Sequence, residues 1–116
     1  MIDLLAKEIL KAGLDDWVPL LAVDSLARRF LSSTDEDSVH REVIETINYL
    51  VVENLVEIGE ITDGGFSPWG DSVADALTRI NYSYQSFDAN RWGFTCWLNN
   101  TPQGDRIGKI IVENTE

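Results

Sequence analysis

At 116 residues the chain is close to the commonest size of a single domain. It is 44% hydrophobic, enough to bury a core, and its 20 acids against 9 bases leave a net charge of −11. With an isoelectric point near 4.3, this balance speaks against duplex nucleic acid and anionic membranes as partners and favours a basic protein.

Cys96 is the sole cysteine, so no intrachain disulfide can form, which fits a reducing compartment. Met1-Ile2-Asp3-Leu4 carries an acid where a secretory leader needs a base. No apolar run approaches the roughly 20 residues of a membrane helix. The expectation is a cytoplasmic protein.

A first helix is predicted over Ile2–Ala12, with Ile2, Leu5, Ala6, Ile9 and Leu10 on one stripe and Gly13 as its stop. Trp17-Val18 suits a very short strand. Pro19 suits the first turn of a second helix, which carries Leu20, Leu21, Val23, Leu26, Ala27 and Phe30 and ends near Leu31. Ser33 with Glu36, or Thr34 with Asp37, can form a capping box for a third helix from Asp35 to Asn54. That helix repeats Val39, Val43, Ile44, Ile47, Leu50, Val51 and Leu55 at helical spacing.

Leu55–Ile61 alternates as a strand does. Asp63-Gly64-Gly65 supplies turn residues that tolerate positive φ, and Phe66–Trp69 is the return strand, with Pro68 suggesting an edge. Ser72 with Asp75 can cap a fourth helix bearing Val73, Ala74, Leu77 and Ile80. Asn81–Asn90 reads as a fraying end and loop. Gly93–Leu98 is a late strand. Asn99-Asn100-Thr101-Pro102 breaks it and caps a last helix, with Ile107, Ile110 and Ile111 inward and Gly104 and Gly108 as weak points. In such a strand Phe94 and Trp97 fall on opposite faces, so both faces are covered or one aromatic is exposed. Trp92 shares the face of Phe94.

The order helix, short strand, helix, helix, hairpin predicts an α+β fold. It is a single winged-helix-like domain over residues 1–116, with a helix-strand-helix extension behind it. Phe66-Ser67-Pro68-Trp69 after the Leu55–Ile61 strand, with Cys96-Trp97-Leu98-Asn99-Asn100-Thr101 near the C-terminus, resemble a group of small, mostly uncharacterised bacterial proteins. These pair a Gly-Phe-x-Pro-Trp hairpin with a late Trp-Leu-x-Asn-Thr segment. Trp17-Val18-Pro19-Leu20 resembles their entry to the second helix. The resemblance implies a winged-helix-like fold and assigns no catalytic residue. Similar small acidic proteins occur as immunity partners of bacterial toxins.

The chemistry-bearing residues are sparse. His40 is the lone histidine, on a helix face; one His and one Cys make no zinc set. Scattered acids show no calcium-loop spacing, and the glycines show no phosphate-binding fingerprint. Cys96 beside Trp97 reads as a buried thiol. Neither catalysis, cofactor nor metal is expected. The segment Asp35–Asp63, by contrast, holds nine acids against Arg41 alone, which is −8 of the chain's −11. A DNA-reading winged helix needs cations there. The expected function is therefore non-enzymatic binding of a basic protein through Glu42, Glu45, Glu53, Glu57, Glu60 and Asp63, by a monomer or weak dimer. Its most concrete form is an immunity protein that blocks a toxin domain by imitating phosphate. The alternative is a winged-helix regulator or regulatory interaction module, whose only basic candidate is Arg28-Arg29 with Lys7 and Lys11.

Overall fold

The computed structural model describes residues 4–30, 35–85, 94 and 96–114. The elements run α1 (Leu4–Ala12), β1 (Val18–Pro19), α2 (Leu20–Phe30), α3 (Glu36–Val52), β2 (Val56–Thr62), β3 (Gly65–Pro68), α4 (Val73–Gln85), β4 (Trp97–Asn100) and α5 (Pro102–Glu113). The result is a mixed α+β globule: five helices and a four-stranded antiparallel sheet of order β1-β4-β2-β3.

Helices α1 and α3 bury most of the stripe their sequence marks, whereas Leu21 and Phe30 of α2 and Ala74 of α4 are exposed. Leu5, Ala6, Ile9 and Leu10 of α1 meet Leu20, Val23 and Ala27 of α2 and Val39, Val43, Ile47 and Leu50 of α3. Ala76 and Ile80 of α4 complete the helical part of the core. The sheet contributes Val18, Val56, Ile58 and Leu98, with Leu55 and Cys96 just outside the strands. Burying each large aliphatic side chain contributes about 1.5–3 kcal/mol. The α3 face Val39–Leu50 is thus a principal stabilising element.

Several local expectations shift. Pro19 belongs to β1 and pairs with Trp97, so α2 starts one residue later, at Leu20. The capping pairs that use Ser33 and Thr34 lie outside the described residues, as do Leu31 and Trp92. The N-cap of α3 is Asp35, which makes no side-chain cap bond to the helix. Its carboxylate instead accepts from Ser38 Oγ at 2.9 Å. Glu36 is drawn away to Arg28. The pairing of Ser72 with Asp75 forms as expected, Asp75 N donating to Ser72 Oγ at 3.2 Å. Helix α4 continues through Tyr82 to Gln85, beyond the point where its polar sequence suggests fraying. On α5, Ile107 and Ile111 pack on the core, but Ile110 is 51% exposed.

The larger difference is β4. It begins at Trp97 and includes Asn99 and Asn100, which by residue type alone read as strand breakers. It does not stand behind the hairpin; it lies between β1 and β2. Its register is Leu98 with Val18 on one side and with Ile58 on the other. Buried Asn100 tolerates this position because its Nδ2 donates to Leu10 O at 3.0 Å, tying the strand to α1. Thr101 then caps α5. Its Oγ1 accepts from Gly104 N at 3.0 Å and donates to Asn54 O at 2.7 Å. Gly104 and Gly108, weak points by helix propensity, are close-approach sites. A Cβ on Gly104 would collide with Leu55 O, and one on Gly108 would lie 3.0 Å from Leu10 O.

Candidate interaction surface

The two faces of the sheet have different partners. Val18, Leu98, Asn100, Val56 and Ile58 share the face that meets the helices, as their pairings require. The alternation of strands puts Pro19, Trp97, Asn99, Glu57, Gly59, Ile61, Phe66 and Pro68 on the other face. None of these eight belongs to the core or packs against it.

Two aromatic pairs lie on this outer face. Trp17 and Phe66 have ring centroids 6.4 Å apart, and Phe94 and Trp97 are 5.9 Å apart. They meet at Gly59, which pairs with Trp97 in β4 and with Pro68 in β3. A Cβ on Gly59 would sit 2.8 Å from Phe66 Cζ, so glycine lets that ring lie across β2. Trp17 is 38% exposed, Phe94 51% and Ile61 37%; Trp97 and Phe66 are half-buried. The expected conflict between Phe94 and Trp97 does not arise, because Phe94 precedes the strand and its ring reaches Trp97. Trp17 contributes to the same surface, packed on the hairpin at Phe66.

The sheet region is acidic in sequence. The sheet and the turns next to it, residues 13–19, 53–70 and 96–101, hold Asp15, Asp16, Glu53, Glu57, Glu60 and Asp63 and no Lys, Arg or His. All six are exposed. Asp16 Oδ1 accepts from Trp17 N at 2.8 Å, and Glu57 Oε1 accepts from Asn99 Nδ2 at 3.4 Å.

The six acids expected at the partner surface do not form one patch. Glu57 and Glu60 are three residues apart in a regular strand and so project from opposite faces. Asp63 lies at the hairpin turn and Glu53 at the C-cap of α3. Glu45 is exposed on α3, and Glu42 is half-buried one turn before it. Glu45 lines a groove of about 720 Å³ between α3 and α4 with Asp37, His40, Arg41, Ile44, Leu77, Thr78 and Asn81. The charges there are mixed, since Arg41 lines it with Asp37 and Glu45; the outer sheet face carries Glu57, with Asp16 and Asp63 in the turns beside it.

Two of the four basic candidates, Arg28 and Lys11, are paired with acids of the chain. Arg28 Nε donates to buried Asp24 Oδ2 at 2.7 Å, and its two terminal nitrogens bind Glu36 at 2.7 and 2.8 Å. These carboxylates raise the Arg28 pKa, and Arg28 in turn lowers that of Glu36. Lys11 pairs with Glu8 at 3.3 Å. His40 Nε2 lies 3.4 Å from Glu36. Cys96 is fully buried, and desolvation pushes its thiol up to about 12. Among the described residues no group of three or more His, Cys, Asp or Glu is placed to hold a metal ion, and no helix is long and apolar enough to cross a membrane.

Sequence reasoning leaves Trp97 open as an exposed aromatic and does not single out Trp17, Gly59 or Phe66 as surface residues. Strand parity is the available signal for Phe66, but it needs the core face of β2 to be known. For Trp97 it needs the partner strand, which the sequence does not name. Comparison with protein families, with curated proteins and with solved structures finds no match to this chain.

Proposed function

We propose that this chain is a non-enzymatic binding protein that captures a basic protein partner. The observation that carries the reading is the sheet and its turns, whose described residues hold six exposed acids and no base, with the exposed rings of Trp17 and Phe94 on the outer face. Carboxylates around such a surface speed the encounter with a cationic partner, and large rings slow its departure. The most concrete form is an immunity protein that neutralises a bacterial toxin with a basic cleft, acting as a monomer or weak dimer in the cytoplasm.

The finer fold reading is a winged-helix-like domain, supported by the order α1-β1-α2-α3 followed by the β2–β3 hairpin. A winged-helix regulator has weaker support than a protein binder. Its third helix and hairpin are acidic, and its basic candidates Arg28 and Lys11 are already paired with carboxylates.

The deciding experiment is rescue of growth. The chain is co-expressed with growth-arresting reading frames from the same genome. Rescue from one whose product is basic and binds this chain supports immunity; rescue from none refutes that form. Anisotropy titration with duplex DNA separates the regulator: salt-sensitive submicromolar binding would replace the protein-binding reading.

A further inference from the structure

We infer that the outer face of the sheet is a docking surface for an arginine-bearing segment of the basic partner. Trp17, Phe66 and Trp97 are its stacking platform, and Asp16, Glu57 and Asp63 its carboxylate partners. The inference rests on the binding reading above and names the chemistry that reading would recognise.

Three observations select arginine. The rings belong to no core, yet the close approach of Phe66 to Gly59 and the contacts within each aromatic pair hold them in place. Ordered aromatic rings lose little entropy on binding, which makes them effective anchors. Next, the acids beside them lack any cation of their own in the described sheet and its turns. A guanidinium stacks on an aromatic face while its edge pairs with a carboxylate, whereas an ammonium is a strongly hydrated point charge that does this less well. Finally, the molecule already contains this arrangement on its other side. Arg79 lies with its guanidinium carbon 3.6 Å from the centroid of the Trp69 ring, and its Nη1 donates to Asp71 at 2.9 Å.

Charge disfavours the other occupants. Phosphate groups of nucleic acid or of anionic lipid would meet Asp16, Glu57 and Asp63 on a chain of net charge −11. A second copy would bring the same three acids against them, along with a net charge of −11 on each molecule.

The test uses the whole chain and a fluorescein-labelled arginine-rich peptide, with an all-lysine peptide of equal length as comparator. The arginine peptide should bind more tightly, and Trp17→Ala should weaken it about 30-fold, mainly through faster dissociation. Glu57→Gln with Asp63→Asn should slow association. Glu8→Gln, on α1, should leave both rates unchanged. Because Phe66→Ala removes packing over Gly59, Phe66→Leu is measured beside it, and each variant's melt reports folding. In a heteronuclear spectrum the indole N–H signals of Trp17 and Trp97 should shift on titration while the amides of α3 stay in place. Equal binding of the two peptides, or full affinity in a folded Trp17→Ala chain, overturns the inference. So does self-association of the free chain in sedimentation that Trp17→Ala abolishes. Loss of binding confined to Glu42→Gln and Glu45→Gln would overturn it while leaving the acidic-binding reading intact. If the unaltered chain binds neither peptide, both fall.

Discussion

Replacing Thr101 by Val keeps the shape of the side chain and removes one hydroxyl. That hydroxyl joins the start of α5 to the end of α3. It accepts from Gly104 N at the start of α5 and donates to Asn54 O just after α3, and the same residue's backbone N–H donates to Leu55 O at 3.0 Å. Thr101 is only 6% exposed, so water replaces little of what is lost. Losing the cap costs about 1 kcal/mol. Depriving the Asn54 carbonyl of its donor costs about 1 kcal/mol more, the low end of the range because this residue is near solvent. The total of about 2 kcal/mol corresponds to a fall in melting temperature of about 8 °C for a chain of this length. Thr101→Ser keeps the hydroxyl and gives up a methyl group, so it should cost less than about 1 kcal/mol. Thermal melts followed by circular dichroism, repeated with urea, compare the two. If the Val and Ser variants melt within about 2 °C of each other, the hydroxyl does not bridge α3 and α5 and the reasoning fails.

Ile47 is fully buried in α3, so Ile47→Asp combines a lost side-chain transfer with an unpaired buried charge; no cooperative melt should remain, and a melt at the parent temperature would show that this face is not core. Arg28→Ala leaves Asp24, which is 4% exposed, without its guanidinium and should destabilise by more than about 1 kcal/mol; Arg28→Lys should recover only part, since a single ammonium cannot reproduce the two-nitrogen grip on Glu36. The lowered pKa of Glu36 means this link contributes above the ordinary carboxylate range and weakens as acid protonates it, so the Arg28→Ala deficit should shrink in acid urea titrations. Cys96 holds its proton to about pH 12 when folded but only to about 9 when unfolded; its contribution is present below pH 9 and is lost as pH rises towards 12. A thiol reagent should therefore label it at pH 8 only after denaturant is added, and Cys96→Ala should flatten the alkaline fall in stability.

Much of the chain's local order is legible in its residues alone. The spacing from Val39 to Leu50 can place its apolar groups on one side only if the backbone is helical, and α3 buries that side. Asp63-Gly64-Gly65 marks the hairpin because a tight turn needs residues tolerant of positive φ, and Gly65 has φ 106°. Thr101 before Pro102 marks the start of α5 because a hydroxyl accepts from an orphan helical N–H and proline has none to lose. The concentration of acids is legible too, by counting. So is part of its division: Glu57 and Glu60 lie an odd number of residues apart in one strand, and strand parity by itself sends them to opposite faces.

Tertiary structure alone decided where β4 goes. Backbone N–H and C=O groups are alike from strand to strand, so the pattern of one strand does not name its neighbour; the choice is made by side chains distant in sequence. Here Asn100 reaches Leu10, Thr101 reaches Asn54 and Gly104 admits Leu55, and these contacts seat Trp97–Asn100 between β1 and β2. That seating turns Trp97 and Asn99 outward beside Glu57 and Gly59, and Phe66 and Trp17 extend the same surface. The sequence determined that this protein is acidic, which elements it forms and where most of them start; only long-range packing decided which acids and which rings share a face.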